Sequence, residues 1–134
     1  MNDAAEEAPD QAAASILLVD DEEEILPEYQ EFLELEGFSA AICSAPERAV
    51  QMVLEQPSIG LVITDLRMAR LDGMSLIRQL RTALPSGRQV EFIILTGDAT
   101  SLIADASADI PVFIKPPDTD ALVAEIKSAL ARTQ

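Results

Sequence analysis

Apolar residues along this chain fall into two kinds of block that alternate from Ser15 onward. The first kind is a short unbroken run. Residues 16–19 are such a run, the stretches 59–64, 91–96 (through Phe92, Ile93, Ile94 and Leu95) and 111–114 are built around one, and 39–44 is a weaker one holding Ile42 and Cys43. The second kind is longer and amphipathic. Ile25, Tyr29, Phe32 and Leu33 share one helical face of residues 24–36. Ala49, Met52 and Val53 do so in 46–56, and Leu76, Ile77, Leu80 and Leu84 in 75–84. Leu122, Val123, Ile126 and Leu130 do so in 118–132. Unbroken runs predict buried strands, and helical spacing predicts helices.

The breaks between blocks agree. Gly37 stops the first helix. Pro46 suits a first helical turn, and Pro57 stands just past that helix's end. Pro85, Ser86 and Gly87 form a turn. Asp118 or Thr119 can cap the last helix. Glu22, Glu23 and Glu24 read as acids at a helix N-terminus, where they favour the dipole. Pro27 fits less well, because a proline inside a helix cannot donate to the carbonyl four residues back. Either that helix begins near Glu24 or its first turn is distorted.

Strand and helix thus alternate five times, with a short Ala-rich segment at 99–108 in the fourth helical place. The expected fold class is α/β: a doubly wound five-stranded parallel sheet, (βα)5, with helices on both faces. The 134 residues suit one domain, and 49% of them are hydrophobic, enough to fill its core. Residues 15–132 are assigned to that domain. Residues 1–14 hold Asp3, Glu6, Glu7, Asp10 and Pro9 but no base, and read as a disordered acidic tail.

Composition narrows the chemistry. Twenty-four acids face 9 bases, for a net charge of -15. That disfavours direct binding to nucleic acid or to an anionic membrane. A secretory leader pattern and a run of transmembrane length are both missing, so the expected location is cytoplasmic. The one cysteine, Cys43, cannot form an internal disulfide and reads as a small core residue. Zero histidine removes Ser-His-Asp triads, Cys-His dyads and His-based zinc sites. Carboxylates, hydroxyls, Lys, Arg and a hard cation remain.

In doubly wound sheets the ligand crevice lies beyond the carboxyl ends of the strands. Here those ends carry Asp20 and Asp21, then Asp65, then Thr96 with Gly97, then Lys115 with Pro116. Taken alone, an acidic pair after a strand is often a turn and a helix cap. Together these residues converge on one edge. Three close carboxylates repel one another, and Mg2+ with oxygen ligands would offset that. A carboxylate beside Mg2+ and Lys can act as a nucleophile on a phosphoryl group.

The segments ILLVDDEEE, LVITDLRMARLDG, FIILTGD and VFIKP resemble the receiver domain of two-component response regulators. The resemblance covers roughly residues 15–132 and implies the flavodoxin-like receiver fold. It implies that Asp65 is the phosphoacceptor. It implies Mg2+ (or Mn2+) bound directly by Asp21, through water by Asp20, and by Asp65 and the backbone carbonyl of Arg67. Thr96 and Gly97 would contact the phosphoryl oxygens, and Lys115 would pair with the phosphoryl group. The donor would be a phosphohistidine on a histidine kinase or histidine phosphotransfer protein. The output would run through a downstream protein or a fused effector domain, and homodimers are common in the family.

The chain also departs from the family pattern. The switch position three residues before Lys115, often aromatic, is Val112, which has few rotamers to exchange. The 99–108 segment looks about a turn shorter than usual. With only Leu102 and Ile103 as large apolar residues it predicts a short or distorted fourth helix. Ala69 stands where Pro is common, which predicts a looser loop. A cis bond before Pro116 is expected by resemblance. Arg67 and Asp98 flank the path of the hydrolytic water by resemblance, and an ion pair between them would slow phosphoryl loss. Two alternatives remain: an aspartate-nucleophile phosphatase of the haloacid-dehalogenase kind, and an unphosphorylated pseudo-receiver used for docking. The first carries a second Asp two residues after its nucleophile, where this chain has Arg67. Self-catalysed phosphoryl transfer, rather than turnover enzymology, is the expected activity.

Overall fold

The computed structural model describes residues 14–97 and 109–133. Among these residues the chain runs β1 (Ile16–Val19), α1 (Ile25–Leu35), β2 (Ala40–Cys43), α2 (Pro46–Glu55) and β3 (Leu61–Thr64). It continues with α3 (Gly73–Ala83), β4 (Glu91–Thr96), β5 (Val112–Ile114) and α4 (Thr119–Arg132). The five strands form one parallel sheet in the order β2-β1-β3-β4-β5. The expected doubly wound sheet is therefore present. The fourth helix expected at 99–108, and Asp98, lie outside the described residues. So do positions 1–13 of the expected tail. Ala14, assigned to that tail, belongs to the packed body: it is buried, and its carbonyl accepts from Ser58 Oγ at 2.7 Å.

Strand side chains alternate between two cores, as a period of two requires. Leu17, Val19, Val62, Phe92 and Ile94 face Ala49 and Val53 of α2 and Leu76, Ile77 and Leu80 of α3. Ile16, Leu18, Leu61, Ile63, Ile93 and Leu95 face Leu26 and Leu33 of α1 and Leu122, Ile126 and Ala129 of α4. Each fully buried Leu or Ile contributes about 1.5–3 kcal/mol by leaving water. Both faces are covered, which is why the strands read as unbroken apolar runs.

Helix boundaries sharpen the sequence reading. Helix α1 starts at Ile25 with Glu24 at the N-cap position, so Pro27 falls in the first turn. Amides there have no acceptor within the helix, so the missing N–H costs nothing. Leu26, rather than Ile25, is the buried residue of that turn. Helix α3 starts two residues before the expected Ser75, because Asp72 caps it: its Oδ1 accepts from Ser75 N at 2.8 Å. Asp118 caps α4, accepting from Ala121 N at 3.1 Å. No helix among the described residues is long and apolar enough to cross a membrane.

Candidate functional site

Sheet register builds the site. Val19 pairs with Thr64, so Asp20 and Asp65 leave the sheet side by side, and Asp65 N donates to Val19 O at 3.0 Å. Thr96 pairs with Ile114, and Lys115 N donates to Thr96 O at 2.9 Å. Asp20, Asp65, Thr96 and Lys115 thus meet at the carboxyl edge, where the sequence placed them. The Lys115–Pro116 bond is cis, as the resemblance implies.

Lys115 Nζ donates to Asp20 Oδ2 at 2.7 Å and stands 3.8 Å from Asp65 Oδ2. Asp20 Oδ1 accepts from Glu22 N at 3.0 Å. Asp65 Oδ1 accepts from Leu66 N at 2.7 Å, and the Thr96 hydroxyl hydrogen-bonds the same carboxylate. The Thr64 hydroxyl donates to Asp65 O at 2.9 Å. These side chains are 8%, 11% and 14% exposed for Asp20, Asp65 and Lys115, so water screens them little.

Electrostatics follow from that burial. Desolvation pushes the Asp65 carboxyl up from its ordinary value, and the Asp20 charge pushes the same way. The Lys115 ammonium, the Leu66 amide and the Thr96 hydroxyl oppose the rise without cancelling it. Burial alone would lower Lys115, but its hydrogen bond to Asp20 and the charges of Asp20 and Asp65 raise it above an ordinary lysine. Lys115 is thus held as a cation against buried anions.

Asp21 points to the loop after β3, where its Oδ2 accepts from Ala69 N at 2.8 Å. Arg67 lies exposed on the same loop. Gly97 is exposed beside Thr96, and a Cβ there would meet nothing within 4 Å, so packing does not demand glycine. Val112 is half-buried against the α2 and α3 side of the sheet.

Three contributors carried no sequence signal strong enough to single them out. Gly73 packs on Asp65: a Cβ there would run into the Asp65 carbonyl oxygen. Its N–H also donates to Leu66 O at 2.8 Å, closing the loop onto the phosphoacceptor candidate. Tyr29, read as helix face, lines a cavity of about 10 Å³ with Asp20, Thr64, Asp65 and Leu95. Burial raises its phenol above the ordinary value, and the charges of Lys115, Asp20 and Asp65 act on it. The Ala69 amide is the third.

As donors, Asp20, Asp21, Asp65 and the Arg67 carbonyl are all hard oxygens, the chemistry Mg2+ favours. Among the described residues no three carboxylates or thiols converge into a cage of their own. Mg2+ does not require one, because it keeps several waters and takes one or two carboxylates.

The family model described as the response regulator receiver domain matches residues 16–127. The chain belongs to that family. It is 39% identical over 83 residues to the two-component response regulator PprB of Pseudomonas aeruginosa, covering 62% of this chain and 30% of PprB. It is 31% identical over 121 residues to the transcriptional regulatory protein ZraR of Escherichia coli, covering 88% of this chain and 26% of ZraR. The chain thus spans less than a third of the length of either relative. A solved receiver domain from Clostridium thermocellum superposes with a TM-score of 0.76 at 31% identity, over 89% of this chain and 95% of that one.

Proposed function

We propose that this chain takes a phosphoryl group from a phosphohistidine onto Asp65, in a reaction that depends on Mg2+ or Mn2+, and changes conformation to pass the signal on. The single observation behind this reading is the Asp20–Lys115–Asp65 arrangement, with the Thr96 hydroxyl on the Asp65 carboxylate. An Asp65 oxygen forms the new O–P bond as the P–N bond to the donor imidazole breaks, and the imidazole takes up a proton. Lys115 and Thr96 supply charge and a hydroxyl for the oxygens of the transferring group. A bound divalent cation would add a second positive charge on those oxygens.

The proposed roles are the ones the resemblance implies. Asp65 is the nucleophile, and Asp21, Asp20 and the Arg67 carbonyl are the cation donors. Lys115, Thr96 and Gly97 surround the phosphoryl group. Val112 is the switch position without an aromatic ring. The donor is a histidine kinase or a histidine phosphotransfer protein. Because the match covers only 30% of PprB and 26% of ZraR, the output is assigned to a fused effector domain or a separate downstream protein. The phosphatase and pseudo-receiver alternatives gain no support from the site.

The test is transfer of radiolabelled phosphate from an autophosphorylated histidine kinase. A hydroxylamine-labile label on this chain, absent when Mg2+ is chelated before the transfer, is expected. Label that forms with Mg2+ chelated throughout, or none from any cognate kinase, counts against the reading.

A further inference from the structure

The loop after Asp65 is tied back to the end of β1. The Ala69 N–H donates to Asp21 Oδ2 at 2.8 Å, between positions 48 residues apart. A backbone amide on a carboxylate makes a charge-assisted bond, short and directional. A carboxylate has two oxygens with about four lone-pair sites, so this bond engages Oδ2 rather than Oδ1 while fixing the carboxylate's orientation.

The donor is itself held. Leu66 N is anchored on Asp65 Oδ1 at 2.7 Å, and Gly73 N on Leu66 O at 2.8 Å. The loop therefore leaves and rejoins the structure at fixed points on either side of Ala69. Proline, common at this place in the family the chain resembles, has no N–H and could not make this bond. Ala69 was expected to loosen the loop; its amide instead fastens it.

We propose that the Ala69 amide is a positioning group for the cation site: it orients Asp21 so that Oδ1 faces a divalent cation. Outer-shell donors do the same for ligating carboxylates elsewhere. This inference rests on the reading of Asp21 as a cation ligand. Ala69 supplies only its backbone, so its side chain is free to vary, whereas its N–H is not.

The test is calorimetric Mg2+ titration of the whole chain and its Ala69→Pro and Ala69→Gly variants. Removing one outer-shell donor is expected to weaken Mg2+ binding about 10-fold in Ala69→Pro, while Ala69→Gly keeps the amide and stays close to wild type. A backbone ester at position 69 removes the N–H without a proline ring, and covers the case in which Ala69→Pro misfolds. A second readout needs no metal. Hydrogen exchange of the Ala69 amide should be slow in the Mg2+-free protein and faster in Asp21→Ala. Unchanged or tighter Mg2+ binding in the ester variant, or an unprotected Ala69 amide, overturns the proposal. A wild-type chain that binds no Mg2+ overturns the cation reading itself and the positioning role with it, and exchange then still shows whether the bond exists.

Discussion

Lys115 is held by Asp20 more closely than by Asp65: its ammonium lies 2.7 Å from Asp20 Oδ2 and 3.8 Å from Asp65 Oδ2. Asp20 thereby places a cation beside the phosphoacceptor candidate without consuming its oxygens. The pair is largely out of water, so it matters more for the site than for stability. Buried ion pairs stabilise little, yet removing one partner leaves a charge uncompensated.

Lys115→Ala should therefore destabilise the fold by about 3 kcal/mol in Mg2+-free urea titrations, since it strands Asp20. The double variant Lys115→Met with Asp20→Asn, which strands neither, should lose less than Lys115→Ala. If the double variant is the less stable of the two, the pair is not coupled as the geometry implies.

Asp65 contributes with the opposite sign. Its folded-state carboxyl is raised, mainly by burial, so the fold disfavours its ionised form. Below the unfolded-state pKa both states are protonated and the group is neutral to stability. As pH rises through that value toward the folded one, ionisation destabilises the fold. Asp65→Asn should consequently melt higher than wild type near neutral pH without Mg2+, and the gap should close in acid. Thermal melts at the two pH values decide this, and a gap that widens in acid would contradict it.

Tyr29 gives an optical view of the same charges. It is the chain's one tyrosine, and there is no tryptophan. Burial is the main reason its phenol is raised; Lys115 pulls it down, and Asp20 and Asp65 push it up. In Mg2+-free absorbance titrations the phenol should ionise above the ordinary tyrosine value. Lys115→Ala should move it further up, and Asp20→Asn should move it down. Shifts in the reverse directions would place Tyr29 away from the site.

Much of this was legible in the sequence because its signals are local. Residues 16–19 and 59–64 are mainly apolar stretches followed directly by Asp20 and Asp65, which marks both a buried strand and its carboxyl edge. The parallel sheet then carries Asp20, Asp65, Thr96 and Lys115 to one place. What was not legible depends on paths between elements. Pro27 left two readings of α1 open, and the start at Ile25, beside the Glu24 the sequence offered, decides between them by putting it in the first turn. Ala69 looked like a lost constraint, because an alanine says nothing about where its amide points. Gly73 matters through a carbonyl eight positions earlier, a distance the loop's course sets.

Arg88 is a further case, silent in sequence yet central to the far end of the sheet. Its guanidinium donates to Val53 O at 2.8 Å and to Gln56 O and Ile59 O at 3.0 Å each, closing the end of α2. Hydrogen bonds from a charged donor contribute about 1.5–3 kcal/mol, so Arg88→Ala should cost about 2 kcal/mol in chemical denaturation. Lysine, without the planar fork, should recover only part of that. Full recovery by Arg88→Lys would show that the three carbonyls need only a charge.

The most direct measurement is the intact mass of the chain after exposure to a small-molecule phosphodonor with Mg2+, for wild type and Asp65→Asn side by side. One added phosphoryl group on wild type, removed by hydroxylamine, and none on Asp65→Asn is the result predicted here. Equal phosphorylation of Asp65→Asn would contradict the assignment of Asp65 as the phosphoacceptor.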